Sequence, residues 1–346
     1  MSHTGVDTIT ENRHRVSDLQ RLAPPTEEVL VVSAAESAAV RRLARRLAGE
    51  YADRPLDNPQ FLVTAEVAAA GLGDRLLARL ADFRISGNRS GMLLLQGLPV
   101  DEPLPPTPAD GTHPNPWTEL AVSTSTQLMI MSVLGDVISY ADEKSGCLVQ
   151  DVCPVPGAEN RQENTGSCLL ELHTEDGFHP HMPHFLSLYC LRQDHEKSAL
   201  TVSAGIRAVF AGLPADCVEA LRRSAFRIRL ASSFGGAGYS VPRPVLSGSV
   251  DDPDMCVDFH AMEALDAEGA RALEILREGI LRALVGVALQ PGDLLIVDNR
   301  MAVHGRTGFR PRYDGNDRWL RRCFVVSDIR ASRGSRYAAS RVHRPL

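Results

Sequence analysis

Two histidines and a glutamate are the residues of this sequence with the clearest chemical potential. His173 and Glu175 lie two positions apart in LELHTEDGFHP (170–180), which is predicted to begin as a strand, so their side chains point to one face. His304 follows an apolar segment and precedes a glycine in PGDLLIVDNRMAVHGR (291–306). Two histidines and one carboxylate form the facial triad of non-haem Fe(II) oxygenases, which leaves coordination positions open. The sequence therefore predicts an iron site that activates O2.

Arginines downstream of His304 fit the same chemistry, and they stand at positions 310, 312, 318, 321 and 322. A 2-oxo acid that chelates iron needs a buried cation for its distal carboxylate, and a guanidinium pairs with a carboxylate through two hydrogen bonds. Arg318 lies at the start of a predicted strand over 319–326, where a rigid element would hold it. A solvated basic strand edge accounts for most of the other arginines.

Composition narrows the class of protein. The chain has 346 residues, of which 44% are hydrophobic and 23% charged, which is typical of one globular domain. Its net charge of -6 argues against a nucleic-acid or anionic-membrane surface. We find no apolar segment long enough for a signal peptide or a membrane span, so a cytoplasmic location is expected. The seven cysteines lack CxxC spacing and are predicted to be reduced core residues. The oligomeric state stays open.

The elements that must position these residues change in type along the chain. Apolar residues recur at helical spacing over 36–51, 64–83 and 117–133, and two helical inserts are expected over 214–224 and 264–284. Short apolar or alternating segments predict an antiparallel sandwich or barrel, and they cover 92–97, 146–152, 168–173, 185–191, 199–202, 226–230, 294–297 and 319–326.

The domain boundaries follow from the same pattern. We expect a mobile N-terminal tail over 1–25, a single domain over 26–335 and a C-terminal tail over 336–346. The glycine-rich segment 231–249 has no evident apolar face. It is either a lid over an active site or an ordinary surface loop.

Three blocks of sequence resemble a known family, and they are HTEDGFHPHMPHFLSLYCLR (173–192), PGDLLIVDNRMAVHGRTGF (291–309) and RYDGNDRWLRR (312–322). They are similar to the clavaminate-synthase-like branch of the Fe(II)/2-oxoglutarate dioxygenases. Within that branch they most resemble the free amino-acid hydroxylases of peptide-antibiotic pathways. The match extends from about residue 134 to 330. The resemblance implies a mainly β fold with flanking helices around a distorted double-stranded β-helix, or jelly roll.

The resemblance also implies roles for individual residues. The positions that match the iron ligands are His173, Glu175 and His304. Arg318 matches the residue that binds the distal carboxylate of 2-oxoglutarate, and Thr201 matches a hydroxyl position beside it. Arg322 lies on the same strand face as Arg318 and matches the residue for the α-carboxylate of the substrate.

Substrate recognition is where the sequence departs from its better-known relatives. Arginine hydroxylases use an Asp-x-Asp pair, whereas here Asp258 keeps the first acid and His260 replaces the second. Glu143 matches a position that is often glutamine, near the α-amino group, although Asp142 is an alternative. The pocket thus favours a free amino acid with a polar or cationic side chain, such as arginine, enduracididine, capreomycidine, citrulline or lysine, hydroxylated at C3 or C4.

Three alternatives stay open at this point. The enzyme could desaturate its substrate, or act on an aminoacyl group tethered to a carrier protein. A non-catalytic jelly roll could hold zinc or nickel at the same three ligands. The triplet His179, His181 and His184 is interrupted by prolines, so a second metal site there is not expected.

Overall fold

A computed structural model describes residues 22–51, 59–337 and 340–346, so most of the predicted tail over 1–25 lies outside the described residues. The described α-helices are α1 (Ala34–Glu50), α2 (Pro59–Ala69), α3 (Asp74–Ser86), α4 (Pro116–Glu119), α5 (Ala121–Leu134), α6 (Ala215–Leu221) and α7 (Ala267–Arg282).

The strands of the described residues are mostly short, as the sequence predicts. They are β1 (Val29–Val31), β2 (Met92–Gln96), β3 (Asp136–Tyr140), β4 (Val149–Val152), β5 (Leu170–His173), β6 (Phe185–Arg192), β7 (Thr201–Gly205), β8 (Phe226–Ile228), β9 (Leu246–Gly248), β10 (Pro253–Met255), β11 (Met262–Ala264), β12 (Val285–Val287), β13 (Leu294–Asp298), β14 (Ala302–Arg306), β15 (Trp319–Val326) and β16 (Val342–His343).

Two sheets build the framework. The larger has the strand order β1-β2-β13-β6-β15-β3-β16, with β4 also paired to β15, and the smaller has the order β12-β7-β14-β5. All pairings within these two sheets are antiparallel except β1 with β2 and β16 with β3. The prediction of a mainly β, jelly-roll core with flanking helices is confirmed.

The larger sheet buries both of its faces. Leu93, Ile296 and Val325 point toward helices α1, α2, α3 and α5 and share one apolar core with them. Side chains of the alternate positions, such as Leu295 and Phe324, point toward the smaller sheet. This alternation decides which arginines of β15 face the space between the sheets.

Local signals explain the helical layer. Ser33 caps α1 through a reciprocal pair of hydrogen bonds with Glu36, and the Glu36 carboxylate also receives a hydrogen bond of 2.7 Å from Arg75 on α3. The prediction of one helix over 64–83 is wrong, because the chain breaks between α2 and α3. Gly73 precedes α3 with a φ of 91°, a conformation that favours glycine.

Two further expectations need correction. The chain after residue 336 is not simply a tail, because β16 pairs with β3 and His343 is fully buried. The segment 231–249 does bury apolar side chains, since Phe234, Val245 and Leu246 are all nearly inaccessible to solvent. Only part of that segment therefore lacks anchoring contacts.

No helix among the described residues combines the length and the apolar character that crossing a membrane requires.

Candidate active site

The predicted metal ligands meet at the edge where β5 and β14 pair. His304 and His173 are register partners on these antiparallel strands, and their ring centroids are 4.5 Å apart. Glu175 follows β5, and its Oε2 lies 3.1 Å from His304 Nε2 and 3.9 Å from His173 Nε2. Each residue offers one ligand atom, and these three atoms all lie within 4.8 Å of one another. The three side chains are thus close enough to share one ion.

The protonation of this group suits a divalent metal. The Nδ1 of His173 lies 2.8 Å from the carbonyl of Glu171, which can only accept, so Nδ1 carries the proton and Nε2 offers its lone pair. Burial lowers the pKa of His304, and electrostatic repulsion from His173 lowers it further, so the neutral form of the His304 ring is favoured. Burial would raise the pKa of Glu175, but Arg322 and the two histidines outweigh it and hold that pKa below its usual range. The donor set therefore fits the Fe(II) facial triad.

Asn299 fixes the position of Glu175, and the sequence motif does not reveal it. Its Oδ1 accepts a hydrogen bond of 2.8 Å from the Glu175 amide, and its Nδ2 donates at 3.0 Å to the Glu175 carbonyl. Asp176 then adopts a left-handed φ of 47°. The strained turn sends Asp176 into the pocket, where burial and the nearby carboxylates of Glu143 and Glu175 raise its pKa.

Arg318 and Thr201 lie together, as the resemblance implies. Arg318 is 5% exposed, and its Nη2 donates a hydrogen bond of 3.1 Å to Thr201 Oγ1. Arg306 lies beside them, and burial and the Arg318 cation lower its pKa to about 9. Arg306 was not among the site residues predicted from the sequence. Its position two residues after His304 on a strand was a usable signal, because it places both side chains on one face.

Arg322 faces the pocket from β15 and is held by acidic and amide groups. Its Nη1 lies 2.6 Å from Glu175 Oε1, and its Nη2 lies 2.5 Å from Glu143 Oε1. Gln150, its register partner on β4, also accepts from Nε at 3.2 Å. Burial would lower the pKa of Arg322, but the carboxylates raise it above its ordinary value. Of these partners, only Gln150 was missed at the sequence level.

The turn after β3 presents Glu143. Lys144, Ser145 and Gly146 follow it with φ values of 46°, 54° and 77°, so three consecutive residues are left-handed. Such a turn is costly for residues other than glycine, and it is typical of functional sites. It buries the carboxylate of Glu143 against Arg322, whereas Asp142, the alternative, accepts from the amide of Leu346.

Asp258 and His260 belong to the lining of the same pocket. Asp258 forms a β-bridge with His173, and its Oδ1 accepts from the amides of His260 and Ala261 at 2.8 and 2.7 Å. Its Oδ2 accepts no hydrogen bond from the described residues. His260 also lines the pocket but is exposed, so of the two side chains Asp258 has the more fixed position.

These residues line a cavity of about 290 Å³. The segment 161–165 forms one rim of the cavity, and Ala231 and Ser233 from the 231–249 segment form a second. The hydroxyl of Ser232 donates to Glu163, which joins the two rims. Among the described residues, His179, His181 and His184 do not form a group whose ligand atoms lie close enough to share one ion.

Comparison with known proteins gives consistent results. Residues 148–324 match the family described as taurine catabolism dioxygenase TauD, TfdA family. The chain is 40% identical over 317 residues to the L-asparagine oxygenase of Streptomyces coelicolor, and the match covers 91% of this chain and 94% of that relative. It is 37% identical over 329 residues to the enduracididine beta-hydroxylase of Streptomyces hygroscopicus, covering 88% and 95%. A crystal structure of asparagine oxygenase with Fe(II), 2S,3S-3-hydroxyasparagine and succinate has a TM-score of 0.87 and 39% identity, covering 92% of this chain and 100% of that chain.

Proposed function

We propose that this chain, which belongs to the TauD, TfdA family of Fe(II)/2-oxoglutarate-dependent dioxygenases, hydroxylates a free L-amino acid with a polar or cationic side chain at C3 or C4. The observation that carries the proposal is the buried pair of Arg322 and Glu143 beside the histidine and glutamate triad. A guanidinium and a carboxylate 2.5 Å apart suit the two charged groups of a zwitterion.

The iron and its cosubstrate would occupy adjoining parts of the pocket. In this proposal His173, Glu175 and His304 hold Fe(II), and Arg318 with Thr201 holds the distal carboxylate of 2-oxoglutarate. When bound, Fe(II) and 2-oxoglutarate supply the oxygen-activating chemistry of the family. The residues of the chain contribute placement, because a displacement of the reacting C–H bond by about 1 Å can lower the rate by orders of magnitude.

The amino acid would take the place of the ion pair between Arg322 and Glu143. Its α-carboxylate would bind Arg322, and its α-ammonium would bind Glu143. Arg322 and Glu143 pair with each other, and in the proposed complex each would instead pair with the opposite charge of the amino acid. This exchange avoids an uncompensated buried charge, which would be costly.

Asp258 would read the end of the substrate side chain. Since its Oδ1 already accepts from two backbone amides, Oδ2 is left to accept hydrogen bonds from an amide, ammonium or guanidinium donor of the substrate. A single accepting carboxylate suits asparagine, lysine, citrulline and the cyclic guanidino amino acids as well as arginine. We therefore propose a substrate from this group.

The segment 231–249 would act as a lid in its first part. Ala231 and Ser233 border the cavity, while Phe234 anchors the segment in the interior. Exclusion of water would strengthen the charged contacts and limit unproductive turnover.

A carrier-tethered substrate is the main rival. In a thioester the α-carboxylate no longer exists as an anion, so Arg322 would have nothing to bind. The buried position of Arg322 among acids favours a free amino acid.

The test is succinate release by the Fe(II)-loaded protein with 2-oxoglutarate and O2, across free L-amino acids. The panel contains arginine, enduracididine, capreomycidine, citrulline, lysine and asparagine, and D-arginine and N-acetyl-L-asparagine serve as controls. We expect one or a few L-amino acids to stimulate succinate release and to gain one oxygen by mass spectrometry. Loss of two hydrogens instead would indicate desaturation. No stimulation by any free amino acid, together with turnover of a carrier-bound one, would contradict the proposal.

A further inference from the structure

Arg306 is a buried cation that the proposed function leaves without a role. It is 4% exposed, and its only hydrogen bond to a described residue goes from Nη2 to the carbonyl of Cys168 at 2.9 Å. Its Nε is buried and has no partner among the described residues. No carboxylate of a described residue lies within ion-pair distance of it. A buried charge without a counter-ion is costly, so this position favours an anionic ligand.

Arg318 has the same need and lies next to Arg306. The guanidinium carbons of the two arginines lie 5.0 Å and 5.8 Å from the ring centroid of Phe309. The hydroxyl of Thr201 is the only described group bonded to the Arg318 guanidinium, and it is neutral. Two neighbouring buried cations repel each other unless an anion lies between them.

The strand register places Arg306 and Thr201 relative to the proposed metal ligand His304. Arg306 on β14 is the register partner of Thr201 on β7. His304, two residues earlier on β14, is the register partner of Ser203. Residues two apart on a strand point to one face and are separated by about 6.6 Å. A five-carbon dicarboxylate is about long enough to span this separation. If its 2-oxo acid end lies beside His304, its distal carboxylate therefore reaches Arg306.

We infer that Arg306 is a second cosubstrate-binding cation, which shares the distal carboxylate of 2-oxoglutarate with Arg318 and Thr201. Its Nε would provide the contact, while Nη2 keeps its bond to Cys168. This inference rests on the 2-oxoglutarate-dependent part of the proposed function, and it does not depend on which amino acid is hydroxylated.

A purely structural role is the alternative. Through the Cys168 carbonyl, Arg306 also supports the segment that precedes β5, and losing that support would disturb the whole pocket. The two roles differ in their selectivity. If Arg306 only supports the pocket, its loss should weaken the binding of every 2-oxo acid alike. If Arg306 binds the distal carboxylate, its loss should weaken only the binding of a 2-oxo acid that has one.

The experiment measures binding rather than turnover. Dissociation constants of 2-oxoglutarate and 2-oxopentanoate are determined by calorimetry on the anaerobic Mn(II)-loaded protein, with no amino acid present. The two ligands have the same carbon chain, and only the first has the distal carboxylate. The variants are R306Q, whose amide can still donate to the Cys168 carbonyl, and R306M, which cannot.

We expect both variants to bind 2-oxoglutarate about 10- to 100-fold more weakly, the range of one hydrogen bond to a charged group, with little change for 2-oxopentanoate. An equal loss for both ligands would overturn the inference and leave Arg306 as a support. Unchanged 2-oxoglutarate binding in R306Q would overturn it as well.

R306K is the fallback if the neutral variants do not fold, because it keeps the buried charge. Lysine lacks the planar guanidinium of arginine, whose several N–H groups can bind two partners at once. Lysine would therefore form a good hydrogen bond either to the Cys168 carbonyl or to the ligand carboxylate, but not to both. We expect weaker 2-oxoglutarate binding with 2-oxopentanoate binding retained, and equal affinity for 2-oxoglutarate in R306K and the unaltered protein would contradict the inference. Failure of the unaltered protein to prefer 2-oxoglutarate over 2-oxopentanoate would instead refute the 2-oxoglutarate site itself.

Discussion

Two adjacent buried arginines on β15 have different surroundings because side chains alternate between the two faces of a strand. Arg322 points into the cavity, whereas Arg321 points to the helical layer, where its Nε lies 3.3 Å from Asp151 and its Nη1 donates to Thr124 on α5. Both are 5% exposed or less. Burial and charge alone therefore do not distinguish a binding residue from a structural one, but the face of the strand does.

This pair gives a matched test at the level of single residues. We expect R322K to lower kcat/KM for the amino acid by about 10- to 100-fold, because lysine cannot form the paired hydrogen bonds to a carboxylate. R321K should leave kcat/KM nearly unchanged and lower the melting temperature, since it disturbs a buried ion pair away from the pocket. Steady-state kinetics and thermal unfolding of both variants check this. Equal kinetic defects in the two variants would contradict the assignment of Arg322.

The sequence predicted the residues that have a motif and missed those that support them. His173, Glu175 and His304 stand out because metal chemistry restricts residue type and spacing. Asn299 and Gln150 act through contacts with Glu175 and Arg322 over 124 and 172 positions along the chain, so no local pattern marks them. Such contacts become visible only when the fold brings distant strands together.

At the level of elements, the contact between the two rims of the pocket is open to test. Ser232 begins a short 3-10 helix over Ser232–Phe234, and its hydroxyl donates to Glu163 in the segment 161–165. We expect S232A to raise KM for the amino acid by about 3- to 10-fold, the range of one lost hydrogen bond. More succinate should then be released per hydroxylated product, because the pocket closes less well. The affinity for 2-oxoglutarate should not change.

Ser247 provides the control for that variant, because it lies in the same segment on β9 but is exposed and does not line the pocket. S247A should keep the ratio of succinate to product found in the unaltered protein. If S232A keeps it too, the contact between the rims does not govern closure.

The elements themselves were predicted well where periodicity was strong and poorly where one residue decides. The strands of the core and helix α1 follow their apolar patterns closely. The break at Gly73 escaped prediction, since helical spacing continues across it from α2 to α3. The anchoring of the segment 231–249 by Phe234 was missed because one aromatic residue among glycines has no periodicity.

At the level of the whole molecule, the C-terminal strand β16 forms an edge of the larger sheet and contains a buried histidine. His343 stacks on the ring of Tyr140 and faces His179, His181 and Arg336. Burial, with some repulsion from His181 and Arg336, lowers its pKa to about 4, and burial with repulsion from His343 and His181 lowers that of His179 to about 3. The folded protein thus resists protonation at both sites.

The sign of the pH dependence follows from this difference. Histidines of the unfolded chain take up protons below about pH 6.5, while the folded protein does not. The contribution of these two histidines to the free energy of unfolding should therefore be fully present above pH 6.5 and be lost as the pH decreases toward 4. In H343F, which keeps an aromatic ring at this position, the loss should be smaller, and in H260Q, altered at an exposed histidine, it should match the unaltered protein. Urea unfolding at pH 7 and pH 5 measures it, and identical slopes in all three proteins would contradict the role given to His343.

Incorporation of labelled oxygen is the most direct test of the central claim, that this pocket couples 2-oxoglutarate and O2 to hydroxylation of a free amino acid. The protein is loaded with Fe(II) and turned over under ¹⁸O2 with 2-oxoglutarate and the best amino acid of the panel, and both products are analysed by mass spectrometry. The account predicts one labelled oxygen in the amino acid and one in succinate, in equal amounts. Labelled succinate with an amino acid that gains no label would contradict it.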